Sequence, residues 1–166
     1  MAQQLWFLRH AEAEPHGSRD DSERRLTARG ERQSRAAGEG LAQLGVEFDA
    51  AFTSPRVRAR DTARIACESF GVDAEVHKPL AGGFSADDAR SLLAGHDEDA
   101  RVLVVGHEPD FSSTVHELTG ARVDLKKGGI AVVRVKAASG EPTGELIALL
   151  RPRELESLAM PGDRQS

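Results

Sequence analysis

Apolar residues along this chain come in short runs separated by turn-forming residues, and the runs alternate between two periods. "LWFL" at Leu5–Leu8 is continuously apolar and predicts a buried strand over Gln4–Leu8. A polar loop follows, "HAEAEPHGSRDDSERR", dense in charge and turn residues. Thr27 then caps a predicted helix to about Leu44, with Ala37, Leu41 and Leu44 on one face and Gly45 as its stop. "FDAAFTS" reads as a second strand. Ser54 and Pro55 read as the N-cap and first residue of the next helix, whose apolar face is Ala59, Ala63, Ala66 and Phe70 before Gly71.

The alternation continues. A brief strand is predicted near Ala74–His77, then a short helix opened by Ser85 and Asp88 at capping-box spacing. "RVLVVGH" carries a continuously apolar strand, Val102–Val105. Pro109 opens a helix with Phe111, Val115 and Leu118 inward and Gly120 at its end. "IAVVRV" and "ELIALL" are two final strands around a turn containing Gly and Pro. The expected architecture is a three-layer α/β/α sandwich, a mostly parallel mixed sheet with helices on both faces. One domain is expected over residues 1–160, with a frayed tail at 161–166.

Composition narrows the function. The 166 residues can bury a core without staples, and 39% hydrophobic with 30% charged is an ordinary soluble balance. A net charge of −5 argues against bulk nucleic-acid binding, and 4% aromatics without tyrosine argues against base-stacking platforms. The single cysteine, Cys67, excludes an internal disulfide and a cysteine zinc cluster; a packed helix residue in a reducing cytoplasm is the expectation. The run at Leu5 is too short for a signal peptide or a membrane span.

Chemistry collects at strand ends, where open α/β sheets bind ligands. The first strand delivers Arg9 and His10, the second Ser54 with Arg56, Arg58 and Arg60 behind it, and the "RVLVVGH" strand Gly106 and His107. Arginine matches phosphoryl oxygens bidentately, and neutral histidine is a nucleophile that titrates near pH 6.5. No Walker loop is present. The pattern points to phosphoryl transfer without a metal or other cofactor, the arginines balancing the charge.

Four stretches in series, "LRHAEAEP", "LTARGERQSRAAG", "TSPRVRARDTA" and "VVGHEPDF", resemble the histidine phosphatase superfamily, and within it the small SixA-type phosphohistidine phosphatases. The likeness spans nearly the whole chain. It implies that His10 attacks phosphorus and is transiently phosphorylated, that Arg9 and Arg58 hold the phosphoryl oxygens, and that His107 stabilises the transferred group. "RHA" stands where many members have "RHG", as is usual in the SixA-like branch. Larger members supply an acidic glutamate from an inserted lid. Here "KPLAGGFSADDARSLL" is too short for a lid, which leaves Asp87, Asp88, Glu12 and Glu108 as acids by sequence proximity alone.

The other readings follow from local pattern. Arg56 and Arg60 are expected on a solvated helix face, because the spacing of the three arginines spreads them around the helix. Ser54 is expected mainly as a cap and secondarily as a phosphate contact. Gly106 would permit close backbone approach to a ligand or relieve packing. His16 and Arg19 sit in the loop that should rim the site. His77, His96 and His116 are expected at the surface, and "DLKKGG" as a basic turn. An imidazole leaves without much help from an acid, and a lidless site admits a protein surface, so phosphohistidine on a protein is the expected substrate. The alternatives are a small-molecule phosphatase or mutase on the same scaffold, and a phosphate-binding module without turnover.

Overall fold

The computed structural model describes residues 2–136 and 144–160. The turn between the last two strands and the tail at 161–166 lie outside them. Six strands form one sheet: β1 Ala2–Arg9, β2 Ala50–Thr53, β3 Ala74–Val76, β4 Arg101–Gly106, β5 Ile130–Lys136 and β6 Gly144–Leu150. The order is β3-β2-β4-β1-β5-β6, parallel from β3 to β1 and antiparallel across β5 and β6. The mixed sheet expected from the sequence is therefore present.

Continuous apolar runs occur where a strand is covered on both faces. Leu5 and Phe7 join Val102, Val104, Ala131 and Val133 in one core cluster. Trp6 and Leu8 join Leu103, Val105, Ile130 and Val132 in the other. The first cluster packs under α3 (Ala86–Ala94) and α4 (Asp110–Thr119). The second packs under α1 (Ala28–Gln43), α2 (Val57–Cys67) and α5 (Pro152–Ala159).

Helix starts follow their capping chemistry in two cases. Thr27 accepts a hydrogen bond from the amide of Gly30, and Ser85 forms a reciprocal capping box with Asp88. The start of α2 differs from expectation. Its N-cap is Arg56, not Ser54, and Ser54 is buried two residues earlier, just past the end of β2. Pro109 likewise occupies the cap of α4 and not its first turn. Leu44, expected on the buried face of α1, is 52% exposed, because the helix ends just before it.

Helix α5 was not expected. It has eight residues; Leu155, with half-buried Leu158 and Ala159, follows helical spacing, but over little more than one turn. It packs tightly on α1 because Gly40 leaves room. A Cβ there would lie 2.7 Å from the carbonyl oxygen of Leu155.

Candidate active site

The register of the sheet assembles the site. Arg9 on β1 lies opposite Gly106 on β4, and Thr53 on β2 lies opposite Val105. The three strands therefore end level with one another. The amide of His10 donates to the carbonyl of Gly106 (2.9 Å), and the amide of Ser54 donates to that of Val105 (3.0 Å). His10, His107 and Ser54 are the next residues out, and their side chains meet. The two imidazole centroids are 5.2 Å apart, and His107 Nε2 is 2.7 Å from Ser54 Oγ.

His10 is 6% exposed and its Nδ1 lies 2.8 Å from the carbonyl oxygen of Ala11. A carbonyl only accepts, so Nδ1 carries the proton and the lone pair is on Nε2. The amide of Ala11 is held by Thr62 Oγ1 on α2 (3.1 Å), which fixes the segment following the nucleophile candidate. Burial pushes the His10 imidazole down from 6.5 to about 3. The Ala11 carbonyl opposes that shift, and His107, Arg58 and Arg9 add to it. Burial, then Arg58 and Arg56, push His107 to about 3 as well. His10 is therefore neutral well below the ~6.5 of a free histidine.

Arg9 donates through Nη1 to the carbonyl of Leu125 (2.9 Å), and its Nε has no partner among the described residues. Arg58 is 6% exposed. Its Nη1 donates to the carbonyl of Asp21 (2.7 Å), and its Nη2 lies 3.3 Å from the Asp21 carboxylate. The Nε of Arg58 and the Nδ1 of His107 are also buried without partners among the described residues. The structure therefore brings Arg9, His10, Arg58, His107 and Ser54 to one end of the sheet.

One expectation changes here and another is narrowed. Arg56 is not on a solvated face: its Nη1 pairs with the Asp21 carboxylate at 2.6 Å and its Nε donates to the carbonyl of Ala81. It leaves the helix at its cap, where the chain has not yet entered the helical spiral, so helical spacing does not apply to it. Gly106 serves packing, one of the two roles expected of it. A Cβ there would meet the ring of buried Phe111 at 2.7 Å, which is a packing requirement. Arg60 is exposed and lines a separate cavity of 640 Å³ with Arg64 and Cys67 on the far side of α2. Burial raises the Cys67 thiol to about 11, so it is inert.

Asp21 is the residue sequence reasoning missed. Its carboxylate receives Arg24, Arg56 and Arg58 together, and His16 Nδ1 stands 3.6 Å away. The loop that carries it is fastened at its base by the Thr27 amide to the Glu12 carbonyl and the Glu14 amide to the Arg25 carbonyl. His16 is solvent-facing, and Arg19 is tied to Glu14 at 2.9 Å, so both rim the loop and neither enters the cluster. His77 and His96 are half-buried against Phe52, while His116 is exposed.

The four acids separate. Asp88 is used by the α3 capping box, and Asp87 is a surface partner of Arg90. Glu12 faces Arg29, and Glu108 caps α4 by accepting from the amide of Ser112 (2.8 Å). Between His77 and α3 the chain makes only a short 3-10 turn, Lys78–Ala81, so this segment supplies no lid among the described residues.

Comparison with known proteins agrees with this geometry. The family model "Histidine phosphatase superfamily (branch 1)" matches residues 5–82. An uncharacterized protein of Picosynechococcus sp. (strain PCC 7002) is 34% identical over 173 residues, covering 92% of this chain and 98% of its own. The structure of the protein histidine phosphatase SixA complexed with tungstate superposes with a TM-score of 0.80 at 27% identity, covering 92% of this chain and 99% of that one. A putative phosphohistidine phosphatase SixA from Nakamurella multipartitia gives 0.77 at 27% identity, over 92% of this chain and 97% of that one. With paired imidazoles and arginines at three level strand ends, and these likenesses across nearly its whole length, the chain belongs to the histidine phosphatase superfamily, is of SixA type, and is a phosphatase.

Proposed function

We propose that the protein hydrolyses phosphohistidine on a protein substrate through a phosphohistidine intermediate on His10. The observation that carries this reading is the state of His10: neutral, with Nδ1 committed to the Ala11 carbonyl and the Nε2 lone pair left for attack. Nε2 attacks phosphorus, the P–N bond to the substrate imidazole breaks, and its electron pair leaves with that imidazole, which takes a proton from water. Water then attacks the phosphorus on His10, releasing inorganic phosphate and neutral His10.

Arg9 and Arg58 hold the phosphoryl oxygens, each with a buried Nε free for an acceptor. His107 donates from Nδ1 once Ser54 donates to its Nε2. The transition-state charge is thus met by fixed donors. The tungstate complex of SixA, a phosphate-like oxyanion on a related scaffold, supports the same anion chemistry here.

The substrate reading rests on the leaving group. An alkoxide needs a positioned acid, typically worth ~10²–10⁴ in rate. Asp87 and Asp88 are otherwise engaged, Glu12 faces Arg29, and Glu108 accepts from the Ser112 amide. Imidazole leaves without that help, and a site that the described residues leave without a lid accepts a protein surface. A reducing cytoplasm is the proposed setting, consistent with one buried, inert thiol.

Two measurements test this. Incubation with labelled phosphohistidine peptide should place acid-labile label on wild type and none on His10→Ala. Turnover of phosphohistidine peptide should exceed that of sugar phosphates by ~10² or more; the opposite order assigns the site to small molecules. Binding of phosphate without label on His10 assigns it to a non-catalytic module.

A further inference from the structure

Beside the imidazole cluster lies an open groove of 590 Å³ whose lining is strongly basic. Arg9, Arg29, Lys126, Lys127, Arg151 and Arg153 line it with one carboxylate, Glu12, while Glu154 pairs with Arg151 and Arg153 and Asp124 with Lys126 beside the lining. This concentration of positive charge occurs on a chain of net charge −5. The cations come from four separate segments: the end of β1, the first turn of α1, the turn before β5 and the start of α5.

The groove is joined to the reacting end of the site through the backbone. The Gly128 amide donates to the carbonyls of Arg9 (3.1 Å) and His10 (3.2 Å), and the Arg9 amide donates to the carbonyl of Gly129 (3.1 Å). The lysines before Gly128 are therefore held at a fixed offset from His10. Lys127 has no ion-pair partner among the described residues. The Lys126–Asp124 and Arg29–Glu12 pairs are solvent-exposed, so a bound anion can replace the carboxylate at little cost.

We infer that this groove binds an acidic segment of the protein substrate, a run of Asp or Glu side chains flanking the phosphorylated residue. Cations distributed over four segments match carboxylates distributed along a chain, whereas a compact second phosphate would use a single tight cluster. The "DLKKGG" turn, read from sequence as a plain basic turn, thereby becomes a specificity element. This inference deepens the phosphohistidine-protein reading and rests on it.

The experiment compares phosphohistidine peptides flanked by glutamates or by glutamines. Wild type should favour the glutamate peptide in kcat/KM by about tenfold at low salt, the ratio falling toward one near ~0.5 M salt. Lys126→Glu with Lys127→Glu should bring the ratio to about one or below; using a ratio removes any effect of folded fraction. A wild-type ratio within about twofold of one, or a ratio unmoved by the charge reversal, overturns the inference.

A separate arm reads the groove without chemistry, using anisotropy of fluorescent unphosphorylated peptides. If neither phosphopeptide is turned over, the phosphohistidine reading fails. The groove assignment then stands only if the glutamate peptide binds wild type and loses affinity in the double variant. Binding of a sugar bisphosphate to wild type, lost in the double variant, with no binding of the glutamate peptide assigns the groove to small molecules and overturns the acidic-segment inference.

Discussion

The Nε2 of His107 and the Oγ of Ser54 are 2.7 Å apart, both buried, on residues 53 positions apart in the chain. Ser54 Oγ also accepts from the Arg56 amide at 3.2 Å, so its own proton is free for the imidazole. Ser54 thus orients the second histidine instead of capping α2. Ser54→Ala should lower kcat by about tenfold through misorientation of His107, and cost ~0.5–1.5 kcal/mol of stability through the lost bond. Steady-state kinetics and denaturant unfolding read the two effects. A kcat within twofold of wild type would remove Ser54 from the positioning of His107.

Protonation follows from burial. His10 and His107 are held near 3, against ~6.5 in an unfolded chain. Both should show the neutral imidazole signature in nitrogen-detected NMR from pH 8 to pH 5; a transition near pH 6.5 would contradict the geometry. The consequence for stability has a definite sign. Folded-state values are depressed, so the unfolded chain binds more protons below ~6.5 and stability falls as pH drops from there toward 3. A His10→Asn, His107→Asn variant should lose less Tm than wild type between pH 6.5 and 4.5.

The Asp21 carboxylate gathers Arg24, Arg56 and Arg58 around itself. Asp21→Asn keeps the backbone carbonyl that receives Arg58 Nη1 but removes the charge that aligns the other nitrogens. The expected outcome is a split: kcat falls about tenfold as Arg58 loses its alignment, while KM does not rise, because the pocket gains net positive charge. A rise in KM at constant kcat would instead make Asp21 a contributor to ground-state binding.

Helix α5 should matter for stability more than its length implies. Leu155 is fully buried, and Leu155→Ala should cost about 2–5 kcal/mol. Gly40→Val should be comparably harmful, since the Leu155 carbonyl occupies the space a side chain needs. Both are read by chemical denaturation. An unchanged midpoint in Leu155→Ala would show that α5 is dispensable.

The sheet and its paired covering layers were legible because β1, β4 and β5 are apolar on both faces, a signal that needs no partner to be read. Arg9, His10 and His107 were legible because they stand at the ends of those strands. Three features were not. Arg56 leaves the chain at a cap, where helical spacing gives the wrong direction. Asp21 works through pairs 35 and 37 residues away, inside a loop with many charges and no period. Helix α5 buries a single fully enclosed side chain, and its fit depends on a glycine in another helix.

The stitching of the Lys126–Gly129 turn to Arg9 and His10 uses main-chain atoms alone. Changes of side chain at Lys126 or Lys127 therefore leave the nucleophile's seat undisturbed. On the acidic-segment reading, docking preference and the reaction can change independently of one another.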